Sequence, residues 1–499
     1  MALLLGVDFG TGGVRVGVFD LDKRALIGTE ESTYETAFPR PGWAEQNPND
    51  WWTALGQASR ALLARLGTPE IAGIGLATTA STVVACDRLG KPLRPALLWM
   101  DCRAAEEAVF TSTVDHPVLA LSGGGDASEW LVPKAMWLAR HEIDVYRRAT
   151  VICECIDYLN FRLTGRWVAS RMNATCKWNY DPISRQFHGD LYDKFGVPDL
   201  EAKLPPTILA VGEPVGPITA AAAEHLGLTG RPNVAQGGVD AHIGMLGANT
   251  VGPGNLLMIA GTSVVHLIHL DNQTIVPGFW GPYPDALMDQ HWLLEGGQAS
   301  AGSVLTWLSR KVFGLDSEGH RRLIDEAAAL PVGSTKLMSL DYFMGNRTPY
   351  RDPGLRGAFI GLSLDQGRAQ IYRAAVESLA LGSANVVLGA IEAGVPCQRI
   401  VSSGGFRRNA AWLRATVDAL GMPIQLPAED NLTILGAVAS AATAVGLMAD
   451  LKAAAATVAT VGSTIEPDLA AHVRYRDMLE QYRQATLTLR PIMHALSKE

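Results

Sequence analysis

The stretch LLLGVDFGTGGVRVGVFD (residues 3–20) decides the reading of the fold. Leu3–Asp8 is a short apolar run, and Val14–Asp20 alternates apolar with small or polar residues. Phe9-Gly-Thr-Gly-Gly13 must turn tightly between them, so the spacing predicts a β-hairpin. Ile71–Ala77 and Val83–Asp87 predict two further strands. Trp51–Leu66 has helical spacing, with Trp51, Leu55, Leu62 and Leu66 on one side. Half a chain later the theme returns. Asn255–Ala260 is an apolar strand, Gly261-Thr-Ser263 a turn, and Val264–Leu270 a second strand. A strand–Gly-Thr–strand unit opening each half predicts two domains of similar plan, 1–245 and 246–499. Gly237-Gly238 and Gly252-Pro-Gly254 bracket a short helical segment at that boundary. The second half continues with helical stretches over Gly302–Val312 and Gln370–Ile391. A strand over Arg399–Ser403 follows, then a helix from Asn409 to Leu420 and an Ala-rich helix over Ile434–Val445. Strands alternating with helices give an α/β class.

Composition narrows the function. The 499 residues carry 42 Lys+Arg against 50 Asp+Glu, a net charge of −8. That acidity speaks against a nucleic-acid partner, which calls for a basic face. Hydrophobic residues at 48% and charged residues at 18% fit a packed globular chain and not a disordered one. No apolar run approaches the ~20 residues of a membrane span, so no membrane is expected. The start, Met1–Gly10, has no basic n-region and reads as a strand, not a signal peptide. Six cysteines without a CxxC pair predict reduced thiols in a cytoplasmic protein.

Several segments can carry chemistry. In the first hairpin, Gly10, Thr11 and Gly12 let backbone N–H groups and a hydroxyl approach a phosphate. Asp8 at the strand end can hold hydrated Mg²⁺, and Arg15 can offset phosphate charge. A plain glycine-rich turn with a surface Asp and Arg fits this segment equally well. Gly261 and Thr262 supply the same donors without a carboxylate. Two such loops facing each other would clamp a nucleotide. Ser402-Ser-Gly-Gly-Phe406, before a helix that includes Asn409, leaves bare backbone at Gly404 and Gly405 for an adenosine, or is an ordinary strand–helix turn. Asp240, in Gly237-Gly-Val-Asp-Ala-His242, can take a proton from a hydroxyl or cap a helix. His242 reads as a structural histidine. Glu295 beside glycines suits sugar hydroxyls, or simply starts a helix. Lys177 in Thr175-Cys-Lys-Trp178 is a substrate ligand or a snorkelling surface lysine.

Together these segments resemble the FGGY family of carbohydrate kinases over nearly the whole chain. Gly6-Val-Asp-Phe-Gly-Thr11, Arg15 and Phe19-Asp20 are similar to the family's first phosphate motif, with Gly13 where members often carry Ser. Pro41–Pro48 with Trp51-Trp52 resembles the early substrate-domain segment, and Pro133-Lys-Ala-Met-Trp137 the first signature. Gly357-Ala-Phe-Ile-Gly-Leu362 followed by Gln370-Ile and Ala374-Ala-Val-Glu377 resembles the second signature. Gly404-Gly405 with Asn409 resembles the adenosine motif, and Leu435-Gly-Ala-Val438 the closing helix. The resemblance implies two actin-like, ribonuclease-H-like ATPase domains with an interdomain active-site cleft. Residues 1–245 would bind sugar and 246–499 nucleotide, with ATP and Mg²⁺ as cofactors. Asp240 would be the general base and, with Asp8, a metal ligand.

Within the family, Thr79-Ala80-Ser-Thr82 occupies the place where xylulokinases usually show Met-His. The Asn-Gln-Arg-Glu-Thr run of glycerol kinases is missing. Thr175-Cys-Lys177 and Leu294-Glu-Gly-Gly-Gln298 resemble segments whose Lys and Glu hold the ketopentose in ribulokinases, nearest to D-ribulokinase-like members. The implied activity is phosphorylation of D-ribulose at O5, with Thr79, Ala80, Lys177, Asp240 and Glu295 binding the sugar. L-ribulose, xylulose or a pentitol is the alternative substrate. An actin-like ATPase without a sugar is the alternative of a different class. A small-molecule sugar is the expected partner, in a homodimer.

Overall fold

The computed structural model describes residues 2–497. The opening hairpin forms as expected: β1 (Leu3–Phe9) pairs antiparallel with β2 (Gly13–Asp20), and β3 (Ala25–Thr33) extends it. β4 (Gly73–Thr78) lies parallel to β1. β5 (Pro214–Pro217) and β6 (Asn233–Val239) complete a six-stranded sheet in the order β5-β6-β4-β1-β2-β3. β1 is buried along its whole length, so both faces of the sheet's centre must be covered.

The second half repeats this plan. β7 (Gly254–Ala260) pairs antiparallel with β8 (Val264–Leu270). β9 (Trp280–Pro284), β10 (Trp292–Gln298), β11 (Cys397–Ser403), β12 (Ile424–Leu426) and β13 (Ser463–Ile465) complete a seven-stranded sheet. Its order is β9-β10-β8-β7-β11-β12-β13. Read from β13, the pairings are antiparallel, parallel, parallel, antiparallel, antiparallel, the same series as in the first sheet read from β5. β9 is the one added edge.

Five helices matter for the site. α1 (Pro48–Arg65) starts where the Asn47 side chain accepts from Asn49 N, and it buries Trp51, Leu55 and Leu62. Leu66 falls just past its end. α2 (Asp240–Gly247) follows β6 directly. α3 (Arg368–Glu392) is apolar and long enough by length and composition to cross a membrane. In the structure 83% of that apolar window is buried, around a buried Arg373–Glu377 pair at 2.9 Å. α4 (Ala410–Leu420) follows β11, and α5 (Leu432–Ala444) follows β12.

α5 belongs to the second half of the chain but packs on β1, β4 and β6 of the first sheet, and on α2. The approach is close enough to exclude side chains. A Cβ on Gly75 would fall 1.8 Å from Ala437 O, and one on Gly436 would fall 1.9 Å from Ile243 O. One apolar core therefore runs through both halves, with Leu4, Ala77 and Ile243 beside Leu257, Val401 and Leu435.

Candidate active site

Site residues collect where parallel strands end. β1 ends before Gly10-Thr11, β4 before Thr79-Ala80, and β6 before Asp240. β7 ends before Gly261-Thr262, and β11 before Gly404-Gly405. In open α/β sheets the carboxyl ends of parallel strands form the ligand crevice, because the chain there must leave the sheet and expose backbone N–H groups. Asp8 and Arg15 stand directly opposite each other in the β1–β2 register. Their side chains meet at 2.5 Å, so Arg15 offsets the Asp8 charge while its guanidinium also lines the cavity described next.

A cavity of about 360 Å³ gathers Asp8, Thr11, Thr79, Ala80, Lys177, Asp240 and Glu295. Lys177, last residue of the helix Arg171–Lys177, places Nζ 3.3 Å from Glu295 Oε2 on β10. It is buried, which excludes a snorkelling surface lysine. Glu295 lies within a strand and starts no helix. Three aromatic rings surround the Lys177 ammonium: Trp130 at 4.7 Å, Trp280 at 5.5 Å and Tyr283 at 5.6 Å from their centroids. Such rings compensate a desolvated cation through their negative faces. Trp280 is placed there by pairing with Glu295 across β9 and β10. Thr11 Oγ1 accepts from Trp99 Nε1 at 2.9 Å, which leaves its own proton for a ligand oxygen. Thr79 Oγ1 is 2.9 Å from Thr82 Oγ1. Gly10 and Gly12 flank Thr11 on the hairpin turn.

Charge is unevenly distributed across this cavity. Burial above all, and then the Asp8 charge, push Asp240 from 3.8 to about 7. Its Oδ1 accepts from Ala241 N at 2.7 Å at the start of α2, and the residue lines the cavity. Burial likewise raises Asp8 to about 6 against the pull of Arg15. Glu295 goes the other way. Burial pushes it up, but Lys177, then His242 and Arg347, outweigh that and hold it well below the usual carboxylate range. One carboxyl is thus poised to exchange a proton near neutral pH, and the other stays ionised.

A second cavity of about 730 Å³ lies entirely among residues of the second half, including Gly261, Thr262, Gly405, Asn409 and Trp412. Ser263 of the same turn lines the first cavity, so the 261–263 turn walls both. Gly404 adopts φ +101°, and a Cβ there would fall 2.4 Å from Ala260 O. Among the described residues, nothing lies within 4 Å of a Cβ on Gly12 or Gly405. Packing does not demand glycine at positions 12 and 405, and the bare backbone there fits a phosphate-bearing ligand. Asn409 borders the cavity, but its Oδ1 accepts from Trp412 N and its Nδ2 donates to Tyr372 Oη. It therefore shapes the wall as a helix cap.

The sequence reading of His242 needs correction. The residue is buried, lines the cavity with Nε2 3.4 Å from Glu295 Oε2, and its Nδ1 has no hydrogen-bond partner among the described residues, so it belongs to the site. Ser81, Trp99, Glu129, Trp130, Trp280 and Arg347 also line the first cavity and were not reached from sequence. For Arg347 the local signal is the pair of turn-forming residues around it, Asn346 and Pro349.

Residues 3–247 match the model of the FGGY family of carbohydrate kinases, N-terminal domain, and residues 256–445 match its C-terminal domain. An FGGY carbohydrate kinase domain-containing protein of Danio rerio is 29% identical over 512 residues, covering 93% of each chain. A ribulokinase of Bacillus licheniformis is 30% identical over 457 residues, covering 85% of this chain and 82% of the relative. A solved structure described as a xyloylose kinase from Brucella ovis aligns with TM-score 0.88 at 28% identity, covering 99% of this chain and 100% of that one. The repeated sheet is thus the actin-like, ribonuclease-H-like plan of sugar kinases. Two family models in order along the chain, on that fold, show that it belongs to the FGGY family of carbohydrate kinases.

Proposed function

We propose that this carbohydrate kinase transfers the γ-phosphoryl of ATP to O5 of D-ribulose. The carrying observation is the Lys177–Glu295 pair, caged by aromatic rings in the cavity that also holds Asp240. Lys177 only donates and ionised Glu295 only accepts. A sugar between them must offer an acceptor oxygen to one and a hydroxyl proton to the other. The C2 carbonyl and neighbouring hydroxyl of an open-chain ketopentose meet that demand, and His242 adds a second polar partner beside Glu295. Ribulokinase is also the name of the Bacillus licheniformis relative.

In this reading Asp240 accepts the proton of the attacking hydroxyl, a task suited to a carboxyl raised to about 7. Thr11, Thr262 and the backbone N–H of Gly12 donate to phosphate oxygens, while Gly10 and Gly261 shape the two turns through N–H bonds to Gly13 O and Ser263 O. Gly404, Gly405 and the Asn409 wall border the adenosine. The oxygen-only pair Asp8 and Asp240, close enough for the Asp8 charge to raise Asp240, fits a hard divalent cation. When bound there, Mg²⁺ would supply charge neutralisation for the phosphates. Residues 1–245 would carry most of the sugar contacts and 246–499 the nucleotide. Six free cysteines accord with a reducing, cytoplasmic setting.

A coupled ADP-release assay over D-ribulose, L-ribulose, D-xylulose, ribitol and glycerol tests the reading. D-ribulose is expected to give the highest kcat/KM. D-xylulose belongs on the panel because of the name carried by the Brucella ovis structure. A higher value for it or for a polyol overturns the sugar assignment. ADP release that no member of the panel stimulates favours an ATPase without a sugar.

A further inference from the structure

The sugar cavity holds a cation whose donors are unspent. Arg347 lines it together with Lys177, Asp240 and Glu295. Its guanidinium carbon lies 4.8 Å from the Trp280 ring centroid. Among the described residues, its side chain has no hydrogen-bond or ion-pair partner. A guanidinium presents five N–H donors in a rigid fork and suits paired oxygen acceptors, so a stacked but unpaired one inside a cavity is a recognition element in waiting.

The backbone beneath Arg347 is braced. Thr348 N donates to Gly297 O at 3.2 Å, and Gly297 N donates to Thr348 Oγ1 at 3.2 Å. Asn346 Nδ2 donates to Thr348 O at 3.1 Å. These bonds tie the turn to β10, two residues beyond Glu295, so the backbone that carries Arg347 is fixed, and the Trp280 ring is the contact that orients its guanidinium. Contacts run from His242 to Glu295, from Glu295 to Lys177, from Lys177 to Trp280, and from Trp280 to Arg347. Asp240 begins this series two residues before His242, and Arg347 ends it.

We infer that Arg347 is a specificity-determining residue that contacts the sugar, donating to the oxygen at the end remote from the phosphorylated hydroxyl. In the ketopentose reading, on which this assignment of the atom rests, that oxygen is O1, next to the carbonyl held by Lys177. The group recognised is a neutral hydroxyl and not a carboxylate. The cavity lining sets four carboxyls, Asp8, Glu129, Asp240 and Glu295, against the three cations Arg15, Lys177 and Arg347. No surplus positive charge remains there for a sugar acid.

The test compares wild type, Arg347→Met and Arg347→Lys on the preferred sugar of the panel and on its 1-deoxy analogue, reading kcat and KM separately. Arg347→Met is expected to raise KM for the parent sugar roughly 10- to 100-fold, with kcat within about threefold. Arg347→Lys should recover part of the loss. Wild type should show a similar rise in KM on the 1-deoxy analogue, and Arg347→Met should discriminate little between the two sugars. The wild-type arm needs no variant and stands even if Arg347→Met folds poorly. An unchanged KM in Arg347→Met, or wild type indifferent to the 1-deoxy change, overturns the inference. If the preferred sugar is not a ketopentose but Arg347→Met still raises its KM selectively, the contact stands and the ketopentose reading falls.

Discussion

Lys177 Nζ lies 3.3 Å from Glu295 Oε2, joining a helix of the first half of the chain to a strand of the second. In the proposed reading, sugar binding and the joining of the two halves are served by the same two charges. Removing either charge should affect both, but unequally. Lys177 without Glu295 keeps three aromatic faces. Glu295 without Lys177 loses its principal cation in a buried setting. Lys177→Met should thus cost more folding stability than Glu295→Gln, about 3 kcal/mol against about 1. Urea unfolding of both variants reads the difference. Both should raise KM for the sugar at least tenfold and leave sugar-independent ATP hydrolysis unchanged.

Asp240→Asn keeps the shape of the proposed base and removes its capacity to accept a proton. The loss in kcat should be on the order of 10²–10⁴ with sugar affinity largely kept. Calorimetric sugar binding beside steady-state rates checks this. A variant with near-normal turnover would leave Asp240 only its bond to Ala241 N at the start of α2.

The raised carboxyls predict opposite pH trends for rate and stability. Asp240 must be ionised to accept a proton, so kcat/KM should fall as pH drops through about 7. The folded value lies above the ordinary 3.8, so the folded chain binds the additional proton between those values. Stability from this group is then greatest at low pH and declines as pH rises towards 7. Asp240→Asn should be more stable than wild type at pH 8, by about 2–4 kcal/mol, and lose that advantage near pH 4. Denaturant midpoints at both pH values measure it.

The 261–263 turn walls both cavities, so each ligand should favour the arrangement that suits the other. The expected coupling is ~1–3 kcal/mol between sugar and a non-hydrolysable ATP analogue. Small-angle scattering should show a smaller radius of gyration with both bound. Independent affinities and an unchanged radius would indicate a rigid cleft.

Gly436→Ala tests the contact between α5 and α2. Its Cβ would meet Ile243 O at 1.9 Å, which requires backbone to move. A loss of about 2 kcal/mol or more is expected, because the backbone of a packed helix yields poorly. Displacing α5 also strains α2, which carries Asp240, so kcat should fall with stability.

Much of the local architecture was legible in the chain itself. Alternation and the Gly-Thr turns marked both hairpins, and the repeat of that unit anticipated two sheets of like plan. These signals are local: side-chain period and turn geometry act over a few residues. Asp8, Thr11, Gly261 and Gly404 were found for the same reason, since each stands where a predicted strand stops, and Asp240 was marked by the Gly237-Gly238 pair before it.

What only the tertiary structure decided is which distant residues meet. Nothing near Lys177 or Glu295 in sequence indicates that they pair, and His242, a single histidine in an apolar helix, has no local mark of its contact with Glu295. Arg347 sits in an irregular turn that periodicity does not read. α5 is apolar nearly all round, so its sequence names no preferred neighbour. The glycines at 75 and 436 settle its place by permitting contacts that any side chain would block. The chain alone determines its strands, turns and strand-end chemistry, because those depend on neighbouring residues. The charge pairing and the shape of the sugar cavity depend on packing between residues far apart, and they exist only once both sheets are folded around one core.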